Sequence, residues 1–246
     1  MKKILQLATL TTAIITASAA QSAVLYSNDF EGQAGDANIA GFVIGNQHDG
    51  GAWWANAGAL NAELLGQNGY SSVVTNEGGP NQGSAQLKTY SDYNGWGPHG
   101  AGSENVLTKT YSILGAVDAS LLGQTVTFSF DAKLGNITDT PTSSSTAFIS
   151  VIKTSDGSYS DVSGATPVTN SDIATDWATY STSFLVDAGM IGEELQIGFS
   201  NQTTEQWGAT GMVYDNLSVT SVPVPAAAWL MGSALLGLAG MKRARK

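Results

Sequence analysis

The sequence predicts an all-β fold, a two-sheet antiparallel sandwich of about ten strands. Three observations predict it. Apolar and polar residues alternate on a period of two over many short runs. Those runs are separated by clusters of Gly, Asn, Asp, Ser and Pro, such as NEGGPNQGS, LGNITDTPTSSS and TSDGSYSDVSG. The third observation is that no fixed-period repeat is present, which a β-helix would require.

The chain opens with two lysines, an apolar run from Ile4 to about Ile15, and then small residues. This is the layout of a secretory signal peptide, with Ala17-Ser18-Ala19 as one cleavage site and Ala23 as a second candidate end. Residues 1–23 are expected to be removed, leaving residues 24–222 as one domain. The chain has no cysteine, so an exported fold must stand on its core without disulfides.

Strand by strand, GQTVTFSFDAK sets Val126, Phe128, Phe130 and Ala132 on one face and Thr125, Thr127, Ser129 and Asp131 on the other. TYSTSFLVD places Tyr180, Thr182, Phe184 and Val186 together, and ELQIGFS places Leu195, Ile197 and Phe199 together. Further strands are expected in VLYSNDF, GFVIG, YSSVVT, SAQLKTY, VLTKTYSIL, TAFISVIK and MVYDNLSVT. VDASLLG alone suggests a short helical turn, and Glu193-Glu194 reads as a solvated turn before a strand.

Charge excludes one class of partner. Outside the two cationic ends only Lys88, Lys109, Lys133 and Lys153 remain, set against all 20 Asp and Glu, a net charge of −16 for the body. Such a body repels phosphate, so no nucleic-acid partner is expected. Catalysis is not expected either. A thiol nucleophile is impossible, His48 and His99 stand in no triad frame, and neither a G-x-S-x-G elbow nor an H-E-x-x-H zinc helix occurs. A pair of carboxylates at glycosidase spacing stays open among so many acids. The triplets NIT, NQT and NLS match the glycosylation acceptor pattern at Asn136, Asn201 and Asn216, and read as incidental.

Two clusters have the residue types that sugars require, namely rings to stack on pyranose faces and polar groups to meet hydroxyls. KTYSDYNGWGPHG gathers Tyr90, Asp92, Tyr93, Asn94, Trp96 and His99 in a glycine-studded loop. NQHDGGAWWANAG holds His48, Asp49, Trp53 and Trp54, the two tryptophans pointing to opposite faces if the segment is a strand. Burial of either cluster as satellite packing is the competing reading. Trp177 and Trp207 read as core or rim.

YSNDFEG, LLGQTVTFSFDAK and VYDNLSVT resemble the first, a central and the last strand of jelly-roll carbohydrate-binding modules of the galactose-binding-like type. The resemblance implies a non-catalytic, glycan-facing jelly roll, with a structural calcium ion near the first and last strands. Asp29, Glu31 and Asp215 stand at the matching marks. Parity places Asp215 with Val213, Leu217 and Val219 on the apolar side, where a carboxylate needs a partner: calcium, or simply backbone and hydroxyl donors.

The last stretch, VPVPAAAWLMGSALLGLAGMKRARK, carries no charge from Ala226 to Met241 and ends in four cations. Sixteen residues rising about 1.5 Å each span roughly 24 Å, a marginal transmembrane helix against a hydrocarbon core of about 30 Å. The basic end orients it, holding KRARK in the cytoplasm and the body outside. Signal peptide, body, Pro-headed apolar segment and basic tail together resemble the PEP-CTERM sorting signal, in its VPLPA-type variant, over residues 223–246. Pro223, Pro225, Ala226, Trp229, Gly232, Arg243 and Arg245 fall in frame, and Val224 departs from the Glu of the main family. The resemblance implies cutting by an exosortase near Pro223 to Pro225 after an inner-membrane stage, with delivery to the cell surface or extracellular matrix. The expected function is therefore an exported β-sandwich that binds glycan, an extracellular polysaccharide in particular. A structural or adhesive matrix protein without a ligand site is the alternative, and a glycosidase-like enzyme a more distant one.

Overall fold

A computed structural model describes residues 22–36, 38–48, 53–56, 59–60, 71–91, 106–137, 143–204 and 210–223. In chain order its strands are β1 (Ala23–Asn28), β2 (Asn38–Ile39), β3 (Val43–His48), β4 (Trp53–Asn56), β5 (Ala59–Leu60), β6 (Ser72–Val74), β7 (Gln86–Thr89) and β8 (Val106–Ala116). They continue with β9 (Gln124–Leu134), β10 (Ser143–Lys153), β11 (Ser160–Asp161), β12 (Val168–Thr169), β13 (Ala178–Leu185), β14 (Glu194–Thr203) and β15 (Met212–Pro223). The turn expected in VDASLLG is a 3-10 turn at Ala119–Leu121, capped by Asp118. The residues expected to form a signal peptide (1–23) and a sorting segment with a transmembrane helix (223–246) lie outside the described residues, save Ser22, Ala23 and Pro223. Among the described residues no helix is long and apolar enough to cross a membrane.

All but two of the strands form two antiparallel sheets, as a jelly-roll sandwich requires, and β2 and β5 pair in a small third one. One runs β13-β9-β15-β7-β6 with β1 also on β15, and the other runs β11-β10-β14-β8-β3-β4 with β12 also on β10. Their inner rows supply the core. Phe128, Phe130, Phe199 and Tyr214 are fully buried, Phe199 stacking on Tyr214 at 3.8 Å between centroids and Phe130 meeting Tyr214 edge-on at 5.7 Å. Each such ring contributes about 1.5–3 kcal/mol by leaving water, and its aromatic neighbours add to that. Val126, Ala132, Ile149, Val151, Leu195, Ile197, Leu217 and Val219 fill the spaces between, which explains how the fold holds without a disulfide.

Two expectations are corrected. Asp215 does not share the apolar side with Leu217 and Val219. The ladder between β15 and β9 shifts register between Asp215 and Ser218, and Asn216 takes a positive φ of 50°. That bulge flips the alternation, so Tyr214, Leu217 and Val219 point into the core while Asp215 opposes Asp131 on the outer face. Glu193 is not solvated. It is only 5 % exposed and accepts hydrogen bonds from the backbone and hydroxyl groups of both Thr154 and Ser155, tying down the turn after β10. Asn201, 1 % exposed, donates to Ser145 and to the Thr210 carbonyl, in keeping with the reading of its NQT triplet as incidental.

Candidate functional site

Strand β8 inverts the usual pattern. Its buried row is polar, with Thr108, Thr110 and Ser112, while Leu107, Lys109, Tyr111 and Ile113 form the outward row. The inward hydroxyls have partners inside. Thr110 meets the Ser71 hydroxyl and Ser112 shares a hydrogen bond with Tyr26, while in β10 Ser145 joins the Tyr214 hydroxyl and Asn201. An apolar row turned to water in place of a polar one contradicts the binary pattern of a simple sandwich, and such conflicts collect at functional surfaces.

The neighbouring strands complete that outward face. Register places Phe148 of β10 opposite Gly198 of β14, Gly198 opposite Tyr111 of β8, and Tyr111 opposite Val43 of β3. The next row runs Thr146, Ser200, Lys109, Gly45, and the row on the other side holds Ser150, Gln196 and Ile113. Gly198 is required by close approach. A Cβ there would lie 2.7 Å from Tyr111 Cβ and from the Thr110 carbonyl oxygen, and 2.8 Å from Phe148 Cζ. The Phe148 ring tip and the Tyr111 Cβ therefore close over the bare Gly198 backbone from either side, and both residues are half-buried. Lys109 Nζ stands 5.8 Å from the Phe148 ring centre, and burial holds its pKa below the usual lysine value. Thr146 and Ser200 share a hydroxyl–hydroxyl bond of 2.5 Å. Across four strands about 4.8 Å apart, the aromatic row measures roughly 14 Å.

The sequence-derived sugar residues fare unevenly. Tyr90 follows β7 and takes the Lys88 ammonium 5.7 Å over its ring, on the outer side of the other sheet. Asp92, Tyr93, Trp96 and His99 lie outside the described residues. Trp53 and Trp54 are in β4, paired with Gln47 and Asn46, so their positions fall on alternate rows at the margin of the aromatic face. Tyr111 and Phe148 were not singled out from sequence. The signal that marks them is the inverted alternation of VLTKTYSIL together with a glycine in the facing strand.

The three calcium candidates lie at the opposite sheet's outer face. Glu31 is engaged by the chain: Ser84 N and Oγ, both at 2.6 Å, and Ala85 N at 3.0 Å donate to it, holding its pKa below the ordinary glutamate value. Asp131, which sequence reasoning did not include, accepts from Gln82, Asn216 and Thr179. Asp29 accepts from Glu31 N and lines a shallow pocket with Ser27, Asn28, Asn216 and Leu217. Asp215 is 1 % exposed; one oxygen accepts from Asn216 N at 2.6 Å and Oδ2 has no hydrogen-bond partner. Burial, with Asp131, Glu31 and Asp29 nearby, pushes its pKa up to about 7. The fit to a cation is partial. Asp215 offers an empty oxygen that a positive charge would satisfy, yet among the described residues no three acidic or histidine side chains converge closely enough to hold a metal.

No family model matches the sequence, and no curated protein matches it. Solved structures similar in fold include the CBM22-1 xylan-binding domain of Paenibacillus barcinonensis Xyn10C, at 12 % identity over 84 % of this chain and 99 % of that one, TM-score 0.47. The family 11 carbohydrate-binding module of the cellulosomal cellulase Lic26A-Cel5E of Clostridium thermocellum aligns at 16 % identity over 82 % and 95 %, TM-score 0.42. A cyclase from Fischerella sp. TAU aligns at 13 % identity over 83 % and 99 %, TM-score 0.48. Binding modules and cyclases both occur among these structures, and no function passes from them to this chain.

Proposed function

We propose that the protein is an exported, non-catalytic β-sandwich that binds glycan on the outward face of the β10-β14-β8-β3 sheet. The observation that supports this is the inverted row of β8, which brings Tyr111 and Phe148 to either side of Gly198. Rings of this kind stack on the apolar faces of sugars, while Gln196, Ser200, Thr146 and Lys109 meet hydroxyls. The ligand class is polysaccharide, with the host's own extracellular polymer first. A glycan array on residues 22–223, with calcium and with chelator, tests it. Loss of an array signal in Tyr111→Ala and Phe148→Ala supports the face. Absence of any glycan signal in the parent protein returns the structural-matrix reading.

Destination belongs to the same proposal and is supported by the sequence of both ends. The chain is exported by its signal peptide, held in the inner membrane by residues 226–241, and cut by an exosortase-type enzyme around Pro223 to Pro225 before release to the surface or matrix. Replacing Pro223 and Pro225 by Ala should leave an unprocessed precursor in the membrane fraction. Mature protein of unchanged size and location in that mutant refutes the sorting role. Calcium at Asp215, with Asp29 and the carbonyls of the adjoining pocket completing its oxygens, is the third part. There it would supply charge neutralisation and a tie between β1 and β15.

A further inference from the structure

Seven large hydrophobic side chains stand exposed among the described residues, all toward one end of the sandwich, and five of them lie on or beside the sheet that carries β15. Val24, Leu25, Leu122, Leu185 and Val222 are between 38 and 67 % exposed. Register shows how they meet. Leu185 and Val222 both pair with Thr125, from either side, on the outward row of the β13-β9-β15 sheet. Val24 pairs with Thr220, one step along the same outward row of β15 from Val222. Leu122 closes the turn before Gln124, which pairs with Pro223. A polar rim would be the ordinary occupant of a solvated sheet end, and singly scattered apolar residues would need no explanation. A band in which β13, β15 and β1 turn apolar side chains outward, with Thr125 of β9 between Leu185 and Val222, does need one.

The chain itself indicates the occupant. Both of its ends are here: Ala23 pairs with Ser221, and β15 ends at Pro223. Three residues further on begins the uncharged stretch from Ala226 to Met241. A fully extended chain covers at most about 3.6 Å per residue, so three residues keep Ala226 within roughly 11 Å of Pro223 at the edge of that band. We propose that this apolar end is a lipid-contacting surface, by which the body of the anchored precursor rests on the bilayer interface. The proposal depends on the membrane-anchored reading above. Tethering makes a weak contact sufficient, because the second encounter is intramolecular. The carboxylates at this end limit its depth. Asp118 and Asp187 are each turned back on their own 3-10 turns, accepting from Ser120 N and Gly189 N at 2.7 Å, and they disfavour anionic headgroups.

The absence of cysteine makes the test direct. Single variants Leu185→Cys, Leu122→Cys, Trp229→Cys and Asn136→Cys of the full chain are spin-labelled and reconstituted in phosphatidylcholine vesicles; Asn136 is exposed just past the far end of β9. Accessibility to oxygen against a water-soluble nickel complex then reports depth. The expected result places label 229 in hydrocarbon, labels 122 and 185 within about 5 to 10 Å of the headgroup boundary, and label 136 in water. Label 229 deep with 122 and 185 indistinguishable from 136 overturns the lipid surface and leaves the anchor standing. Label 229 in water overturns both. Protection of 122 and 185 that comes with spin–spin broadening and persists in detergent overturns it in favour of contact between copies of the chain.

Discussion

Tyr111→Ala separates a binding ring from a packing ring. Tyr111 is half-buried on an outward row, its Cβ close against Gly198 and its phenol raised in pKa by burial and by Glu194. Full truncation of a core aromatic costs about 3–5 kcal/mol, and a ring with one face in water should cost a fraction of that, about 1–2 kcal/mol. A stacking anchor at a binding surface loses at least about 1 kcal/mol of affinity on truncation, roughly fivefold or more in Kd. The expected outcome is therefore a modest fall in melting temperature, a clear loss of polysaccharide retardation in affinity electrophoresis, and the same for Phe148→Ala. The double variant shows whether the rings share one sugar, in which case the losses are not additive. Retention of full affinity in both single variants, with melting curves shifted as for core residues, would refute the binding face.

Three further outcomes are expected. Asp215→Asn should be more stable than the parent in chelator at pH 8 and equal to it near pH 4. A folded pKa raised from 3.8 to about 7 means the charged form is penalised, so parent stability falls as pH rises through that window; added calcium should close the gap, and thermal melts at both pH values check this. Glu193 has its folded pKa lowered by donors from Ser155 and Thr154, so its contribution is present above about pH 4.5 and lost on acidification. Glu193→Gln should melt lower than the parent at pH 7, and that gap should shrink below pH 4. Gly198→Ala should reduce both stability and binding, because Thr110 O and Tyr111 Cβ are backbone or near-backbone atoms that cannot swing aside, which paired melting and electrophoresis will show.

The ten strand segments read from alternation all contain strands, because period-two burial is a local property that survives into the fold. The short pairs β2, β5, β11 and β12 left no pattern, being two residues each and defined by their partners. Asp215 failed for a different reason. A bulge inserts one residue and reverses parity, and Asn216 is the sole local mark of it, a residue type that tolerates positive φ. The outward aromatic face was hidden because in β8 an apolar row looks like core, and only Ser71 bonded to Thr110 and Tyr26 bonded to Ser112, both distant in sequence, reveal that the hydroxyl row is the buried one.

β15 lies in the middle of its sheet, laddered to β9 on one side and to β7 and β1 on the other, yet it is the last strand of the body to emerge. Its pairing with β1 joins residues nearly 200 apart. Until Leu217 and Val219 arrive, Phe128 and Phe130 lack their neighbours on the β15 side and β1 has nothing to pair with. Contacts of such long sequence separation form slowly. Timing is thereby built into strand order: the chain closes into a sandwich only once its last described strand has been made.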